Sequence, residues 1–152
     1  MKCWRNNQSC TSRNSCMNNI AVFCFVEHGG KILLVKKNYG NKSWTFPGGA
    51  VAPQEAIVDA LAREVKEETG QTISTAEYVA AFYSKDNYSI ALCFCISLEK
   101  LDDITFDESE ISDVKLFEMD NLPQPMSPRY VFWHKTYRDR KNNLSQNLFQ
   151  YA

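Results

Sequence analysis

The stretch GGAVAPQEAIVDALAREVKEETGQ, residues 48–71, constrains the fold and function of this chain more than any other segment. Its second half contains strong helix formers without an internal Gly or Pro, and Gly70 stands where a helix commonly ends. We therefore predict a helix over residues 55–69, preceded by a glycine-containing loop.

Three carboxylates crowd the last turns of this predicted helix. At about 100° per residue, Glu64, Glu67 and Glu68 share one arc of about 100° on a helical wheel. The adjoining arc is apolar and is expected to pack on a sheet; it contains Ile57, Val58, Leu61, Ala62 and Val65. The acids should therefore emerge at the edge of the buried face rather than opposite it.

This placement is electrostatically unfavourable for a helix that serves only as structure. Like charges three or four residues apart repel each other, and the carboxyl end of a helix already carries partial negative charge. A divalent cation would offset the cost, because Mg²⁺ prefers a few carboxylate oxygens and leaves other positions for water and phosphate. Backbone carbonyls of Gly48 and Gly49 could complete its shell. The alternative is a solvated acidic face that follows a simple tight turn.

The spacing of these residues resembles the Nudix box, G-x5-E-x7-R-E-U-x-E-E-x-G-U, in which U is aliphatic. All seven fixed positions match, and they are occupied here by Gly49, Glu55, Arg63, Glu64, Glu67, Glu68 and Gly70. Gln71 departs from the pattern, which asks for an apolar residue at that position. We expect Ile73 to provide this packing instead.

The resemblance implies a reaction and a cofactor. Nudix enzymes hydrolyse a pyrophosphate bond in a nucleoside diphosphate linked to another moiety, using Mg²⁺ or Mn²⁺. Carried onto this chain, the metal ligands would be Glu64, Glu67, Glu68 and the Gly48 carbonyl. Arg63 would orient Glu64 in catalysis or pair with Glu55, and Gly49, Glu55 and Gly70 would be structural members of the box.

The general base is less defined by the resemblance. Some family members use a glutamate of the box, and others use an acid from a later loop. Glu110, in the acidic stretch FDESEISD before a predicted strand, is our candidate for an auxiliary ligand or base. A plain solvated loop explains the same stretch equally well.

The remaining pattern predicts an α+β fold. Strand-like runs cover residues 20–26, 31–37, 44–46, 76–84, 88–98 and 112–119, and a second helix should begin at Ser127-Pro128. One face of that helix carries Tyr130, Trp133, His134 and Tyr137. The order β-β-β-α-β-β-β-α favours a Nudix-like α/β/α sandwich with a mixed β-sheet and the acidic loop–helix.

Composition indicates one globular domain. The chain has 152 residues, of which 44% are hydrophobic and 23% charged, with a net charge of −1, so neither DNA nor a membrane is an expected partner and RNA is disfavoured. We predict a disordered leader over residues 1–17, a catalytic domain over residues 18–142 and a tail over residues 143–152. Oligomeric state is left open.

Six cysteines are unusual for this length. Cys24, Cys93 and Cys95 lie in apolar runs and are predicted to behave as small hydrophobes. The other three, Cys3, Cys10 and Cys16, lie in the leader at spacings unlike a zinc site, and their role is left open. A core adequate without disulfides favours a reducing, cytoplasmic location.

Residues outside the box would select the substrate. Tyr39 lies in a loop near the acids and could stack on a base, as could Tyr88, whose distance from the box resembles that of a tyrosine in diadenosine tetraphosphate hydrolases. A strand tyrosine at Tyr88 needs no such explanation. We expect a nucleotide or nucleotide-sugar substrate; the alternatives are a dinucleoside polyphosphate, or a Nudix module that binds a nucleotide without catalysis.

Overall fold

The computed structural model of the chain describes residues 20–85 and 88–142. In chain order they form β1 (Ile20–His28), β2 (Lys31–Lys37), β3 (Trp44–Thr45), β4 (Gly48–Ala50), α1 (Ile57–Thr69), β5 (Glu77–Ser84), β6 (Ser89–Ser97), β7 (Ile111–Glu118) and α2 (Pro128–Asn142). Every predicted strand and helix is present. The predicted leader, the predicted tail and Cys3, Cys10 and Cys16 lie outside the described residues.

Strand β4 is a correction to the sequence prediction, which treated these residues as a loop or tight turn. Gly48–Ala50 pairs antiparallel with the first half of β1, with Phe23 opposite Gly48. The backbone of Gly48 has φ 148°, and a Cβ there would lie 2.1 Å from the carbonyl oxygen of Val22. Only glycine permits this approach, and a three-residue strand with two glycines carries no alternating pattern.

The strands form one mixed sheet in the order β3-β2-β1-β6-β5, with β4 added to β1 and β7 added to β2. Strands β1 and β6 run parallel, from Ile20 opposite Ile90 to Glu27 opposite Ser97. The other pairings are antiparallel. The first half of β1 pairs with β4, and its last residues pair with β2. The acidic loop–helix therefore starts from the middle of the sheet.

The two helices cover opposite faces of this sheet, as predicted for an α/β/α sandwich. Alternate residues of β1, such as Val22 and Val26, pack with Leu61 of α1. Phe25, between them, packs in a second cluster with Trp133 of α2. Alternate residues of β1 therefore contribute side chains to two separate cores, one on each face of the sheet.

Helix α1 ends as predicted but is turned slightly from the predicted orientation. Gly70 adopts φ 78° and its amide donates to the carbonyl of Lys66 at 2.9 Å. Leu61 and Val65 are buried, whereas Val58, which we expected on the sheet, is 65% exposed. Glu68 is buried instead. The helix thus presents an acid, not only aliphatic side chains, to the protein interior.

Helix α2 begins at Pro128, with the Ser127 carbonyl accepting from the amides of Tyr130 and Val131. Its predicted face is the buried one, since Trp133, His134 and Tyr137 are all covered. None of the helices in the described ranges is both long and apolar enough to cross a membrane.

Candidate active site

Glu68 is the most deeply buried carboxylate of the acidic helix, at 4% exposure. One oxygen accepts a hydrogen bond from the Gly48 amide at 2.8 Å, and the other accepts from the Lys37 ammonium. Burial raises the pKa of Glu68, although the Lys37 charge works in the opposite direction. The negative charge at this position is therefore held at a cost.

Glu64 lies against the other glycine of the loop. A Cβ at Gly49 would be 2.6 Å from a carboxylate oxygen of Glu64, so a larger residue at position 49 would push this acid away. The Glu64 side chain is 13% exposed. Glu64 and Glu68 are one helical turn apart, and they contact the consecutive residues Gly49 and Gly48 of β4.

Arg63 organises the outer part of the acidic group. Its guanidinium binds both oxygens of Glu55 at 2.7 and 3.0 Å. The same group donates to Glu64 at 2.7 Å, to Glu67 at 3.1 Å and to the Ala50 carbonyl at 3.2 Å. The two alternatives raised for Arg63, pairing with Glu55 and contact with Glu64, thus occur together.

Glu55 connects the loop to the helix. Besides Arg63, its carboxylate accepts from the Ala52 amide at 2.8 Å. The hydrogen bonds from Arg63 lower the pKa of Glu55 to about 2 and raise the pKa of Arg63. Both groups therefore stay charged across the neutral range, and Arg63 is held in place.

Lys37 belongs to this site although the sequence analysis gave it no role. It is the last residue of β2, and its ammonium contacts Glu68. Burial alone would lower the pKa of Lys37, but the Glu68 carboxylate outweighs it and raises the pKa. Alternation along β2 predicts that Lys36 and Lys37 point to opposite faces. Which of them meets the acids depends on the packing of α1.

A cleft of about 1300 Å³ extends from these acids toward α2. Glu64, Glu68 and Lys37 line one part of it. Other parts are lined by aromatic and basic side chains of β1, β5 and α2, namely Phe23, Phe82, Tyr83, Arg129, Tyr130, Phe132 and Trp133. A cleft of this size can accommodate a drug-sized or nucleotide-sized ligand.

The less certain sequence candidates differ in their placement. Glu110 and Tyr39 both line the cleft, and the Asn38 amide donates to the Glu110 carbonyl at 2.7 Å, which joins their two loops. Tyr88 occupies the turn before β6 with φ 53°. Of the described residues around it, Lys85 and Ser89 line the cleft and Tyr88 does not.

The donor set fits a hard divalent cation, with two sheltered carboxylates that lie against the two glycines of β4. Nevertheless, within residues 20–85 and 88–142 no three His, Cys, Asp or Glu side chains already converge as a metal cluster. Arg63 and Lys37 hold the carboxylate oxygens instead, and Glu67 is 59% exposed beside Arg63. The sheltered carboxylate oxygens are thus neutralised by cations of the chain itself.

Gln71, the one mismatch to the box, is 1% exposed, and both polar atoms of its side chain form hydrogen bonds. Its amide nitrogen donates to the carbonyls of Thr69 and Asp102 at 3.2 and 3.1 Å, and its oxygen accepts from the Asp102 amide at 2.9 Å. Ile73 packs against the α1-side core, as expected. The mismatch thus connects the end of α1 to the loop before β7.

The fold and this loop–helix define an α+β sandwich domain that presents acids to a large cleft. The family model of the NUDIX domain matches residues 17–139. The chain therefore belongs to the Nudix family.

Relatives and solved structures agree with this assignment. The chain is 32% identical over 83 residues to the putative 8-oxo-dGTP diphosphatase YtkD of Bacillus subtilis, covering 53% of this chain and 51% of the relative. It is 40% identical over 63 residues to the CTP pyrophosphohydrolase of Escherichia coli, covering 40% and 47%. The chain therefore spans only about half the length of these relatives.

The fold is similar to that of the MutT NUDIX hydrolase from Burkholderia pseudomallei, with a TM-score of 0.71 and 21% identity. The match covers 78% of this chain and 96% of that one. At this identity the comparison supports the fold alone.

Proposed function

We propose that this protein hydrolyses a pyrophosphate bond in a nucleoside diphosphate derivative, with Mg²⁺ or Mn²⁺ as cofactor. The observation that carries the proposal is the pairing of Glu64 and Glu68 with Gly49 and Gly48 at one part of the cleft. Two sheltered like charges are costly to fold and become favourable when a cation binds between them. Membership of the Nudix family supports the same reaction.

In this proposal the cation is held by Glu64, Glu67, Glu68 and the Gly48 carbonyl. Such a cation would supply neutralisation of phosphate charge and a lower pKa for an attacking water. Glu110 lines the same cleft, and in this proposal it would accept a proton or add a further ligand. Arg63 is a positioning residue, since its bonds to Glu55 and Ala50 fix the guanidinium that contacts Glu64.

The aromatic part of the cleft would hold the nucleoside. Tyr130 and Trp133 pack edge to face at 5.2 Å, and Phe82 stacks on Trp133 at 5.0 Å. Such a wall offers a base an apolar surface, and Arg129 beside it offers positive charge to a phosphate. Tyr39, near the acids, would stack on a base. Tyr88 does not itself line the cleft and would contact the substrate from the turn before β6.

We favour a nucleotide or nucleotide-sugar substrate over a dinucleoside polyphosphate. The two relatives carry names that refer to 8-oxo-dGTP and CTP, which are single nucleotides. The dinucleoside polyphosphate hypothesis depends on Tyr88. A binding-only module is disfavoured because it would have no use for mutually repelling acids on α1.

A substrate panel tests the reaction. The purified chain should be incubated with Mg²⁺ or Mn²⁺ and nucleoside triphosphates, nucleotide sugars, ADP-ribose and diadenosine tetraphosphate, with products identified by mass spectrometry. We expect a nucleoside monophosphate from at least one single nucleotide, and no turnover with EDTA. The double variant Glu67→Gln, Glu68→Gln should be inactive, whereas Glu118→Gln, an exposed acid paired with Lys31, should not. Full activity of the double variant with metal present would overturn the site assignment.

We further propose a reducing, cytoplasmic location. It is supported by Cys24, Cys93 and Cys95, which are all free cysteines and lie within or against the core.

A further inference from the structure

Lys37 is the one sheltered cation that contacts the inner acid of the site among the described contacts. Its side chain is 17% exposed and that of Glu68 is 5% exposed. One Glu68 oxygen accepts from the Gly48 amide, and the other accepts from the Lys37 ammonium. Lys37 therefore lies against the carboxylate to which the proposed function assigns a metal ion.

We propose that Lys37 is a built-in counter-cation that competes with the divalent metal for Glu68 and is displaced into the cleft when the metal binds. This inference rests on the proposed function, because it assumes that Glu68 is a metal ligand. It assigns Lys37 a role in setting how tightly and when the site takes up metal.

Electrostatics disfavours the presence of both cations at Glu68. An ammonium that donates to an oxygen and a divalent ion coordinated by the same oxygen would lie within a few ångströms of each other, where like charges repel strongly in a sheltered site. Without either cation, Glu68 would be left as an uncompensated charge next to the core, which is unfavourable. Lys37 thus stabilises the metal-free protein and weakens its metal affinity.

The other cation of the site is not equally free to move. Arg63 is fixed by its bidentate contact with Glu55 and by the Ala50 carbonyl. Lys37 is a point charge on a flexible stem, and the Tyr39 ring, whose centroid is 5.8 Å from the ammonium, provides a face for it outside the carboxylate. Displacement therefore involves Lys37, with little change in Arg63.

The chain offers a matched control in the neighbouring lysine. Lys36 lies on the opposite side of β2, with its ammonium 5.9 Å from the centroid of the Trp44 ring. Lys36→Met and Lys37→Met remove the same charge from adjacent positions. A difference between the two variants therefore reports the local contact with Glu68 and not the net charge of the protein.

The experiment measures Mn²⁺ binding to the full chain by calorimetry and by electron paramagnetic resonance of free Mn²⁺, in the absence of nucleotide. We expect Lys37→Met to bind Mn²⁺ at least tenfold more tightly than Lys36→Met, and Lys37→Arg to bind no more tightly than the wild type. We also expect Mn²⁺ to raise the Tm of Lys37→Met by more than it raises that of Lys36→Met.

A second measurement on the wild type covers the case in which Lys37→Met does not fold. In NMR spectra, the Lys37 side-chain Cε–Hε resonances should shift as Mg²⁺ saturates the site, while those of Lys36 stay in place. The inference is overturned if Mg²⁺ binds without moving the Lys37 signals, or if Lys37→Met binds Mn²⁺ no better than Lys36→Met. Failure of the wild type to bind either metal would instead overturn the proposed function, and this inference with it.

Discussion

Two buried glutamates, Glu68 in α1 and Glu27 in β1, show how differently one side chain can be used in the same fold. Both are less than a tenth exposed, and both contact a lysine. Glu27 accepts from the Tyr137 hydroxyl at 2.5 Å and from the Lys141 ammonium at 2.5 Å. These partners are one helical turn apart on α2, so Glu27 anchors that helix to the sheet.

Glu68 differs from Glu27 in its neighbouring residues. Its neighbour in the helix is a second sheltered acid, Glu64, and both line the cleft. Burial raises the pKa of Glu68. At the second site the group with the raised pKa is Tyr137, because its phenol is buried and donates to Glu27, and Tyr137 therefore stays a neutral donor. The comparison separates a carboxylate whose hydrogen bonds join a helix to the sheet from one to which we assign a metal ion.

The largest expected difference between the two acids is in turnover. Glu68→Gln should lower kcat with Mg²⁺ by about a thousandfold, which corresponds to about 4 kcal/mol of barrier, because it removes a proposed metal ligand. Glu27→Gln is the matched substitution. It should leave kcat within about twofold of the wild-type value, which is a negligible change in the barrier. Steady-state assays on the best substrate of the panel check this; equal losses in both variants would remove the functional distinction.

A second variant tests whether buried polar groups near Glu68 also serve stability. Gln71→Leu restores the apolar residue of the family pattern but removes three side-chain hydrogen bonds, to the Thr69 carbonyl and to the Asp102 amide and carbonyl. We expect it to lower the free energy of unfolding by about 2 kcal/mol, since each bond contributes about 1 kcal/mol and the added apolar area offsets only part of the loss. Urea denaturation measures this. An unchanged or higher stability would show that the hydrogen bonds of Gln71 are dispensable.

A smaller effect is expected from removing the charge at Glu27. Glu27→Gln keeps an acceptor for Tyr137 but weakens the contact with Lys141, whose side chain is 50% exposed and screened by solvent. We expect a loss of about 1 kcal/mol in the free energy of unfolding. The same denaturation series provides the value, and Lys141→Met should cost no more. A larger loss with Lys141→Met would assign the anchor to the lysine.

The smallest effect concerns His134, on the same buried face of α2 as Tyr137. Within the described part of the chain, its Nε2 has no hydrogen-bond partner, and burial lowers the pKa of His134 below its usual value of 6.5. Below pH 6.5 the unfolded chain binds a proton that the folded one does not, so this residue makes stability fall as pH falls. His134→Phe should reduce the loss between pH 7.5 and 5.5 by about 1 kcal/mol or less, measured by urea denaturation at both values. Parallel pH profiles would contradict this.

The sequence was sufficient for features that depend on local pattern. The acidic helix, its end at Gly70 and the alternating strands follow from spacing and turn chemistry, and the helices pack on opposite faces as the element order predicts. Membership of the family follows from the fixed spacing of the box. These signals are carried by residues close together in the chain.

Features that depend on distant packing were not accessible. Glu27 lies outside the predicted strand of residues 20–26, whereas the observed β1 is longer and its contact with α2 buries this residue. Lys37 could not be distinguished from Lys36, because only the position of α1 decides which lysine meets Glu68. Val58 is exposed for the same kind of reason, since a helical wheel does not fix the angle at which α1 lies on the sheet.

The parallel pairing of β1 with β6 has a consequence for how the chain acquires its structure. Ile20 finds Ile90, and Glu27 finds Ser97, only after the loop–helix and β5 have been synthesised. Contacts this far apart in the chain must first overcome the entropy of closing a long loop, which slows folding. During synthesis, the edge of β1 that pairs with β6 therefore stays unpaired after the acidic helix has been made. A nascent chain that stops before β6 exposes that apolar edge to other chains.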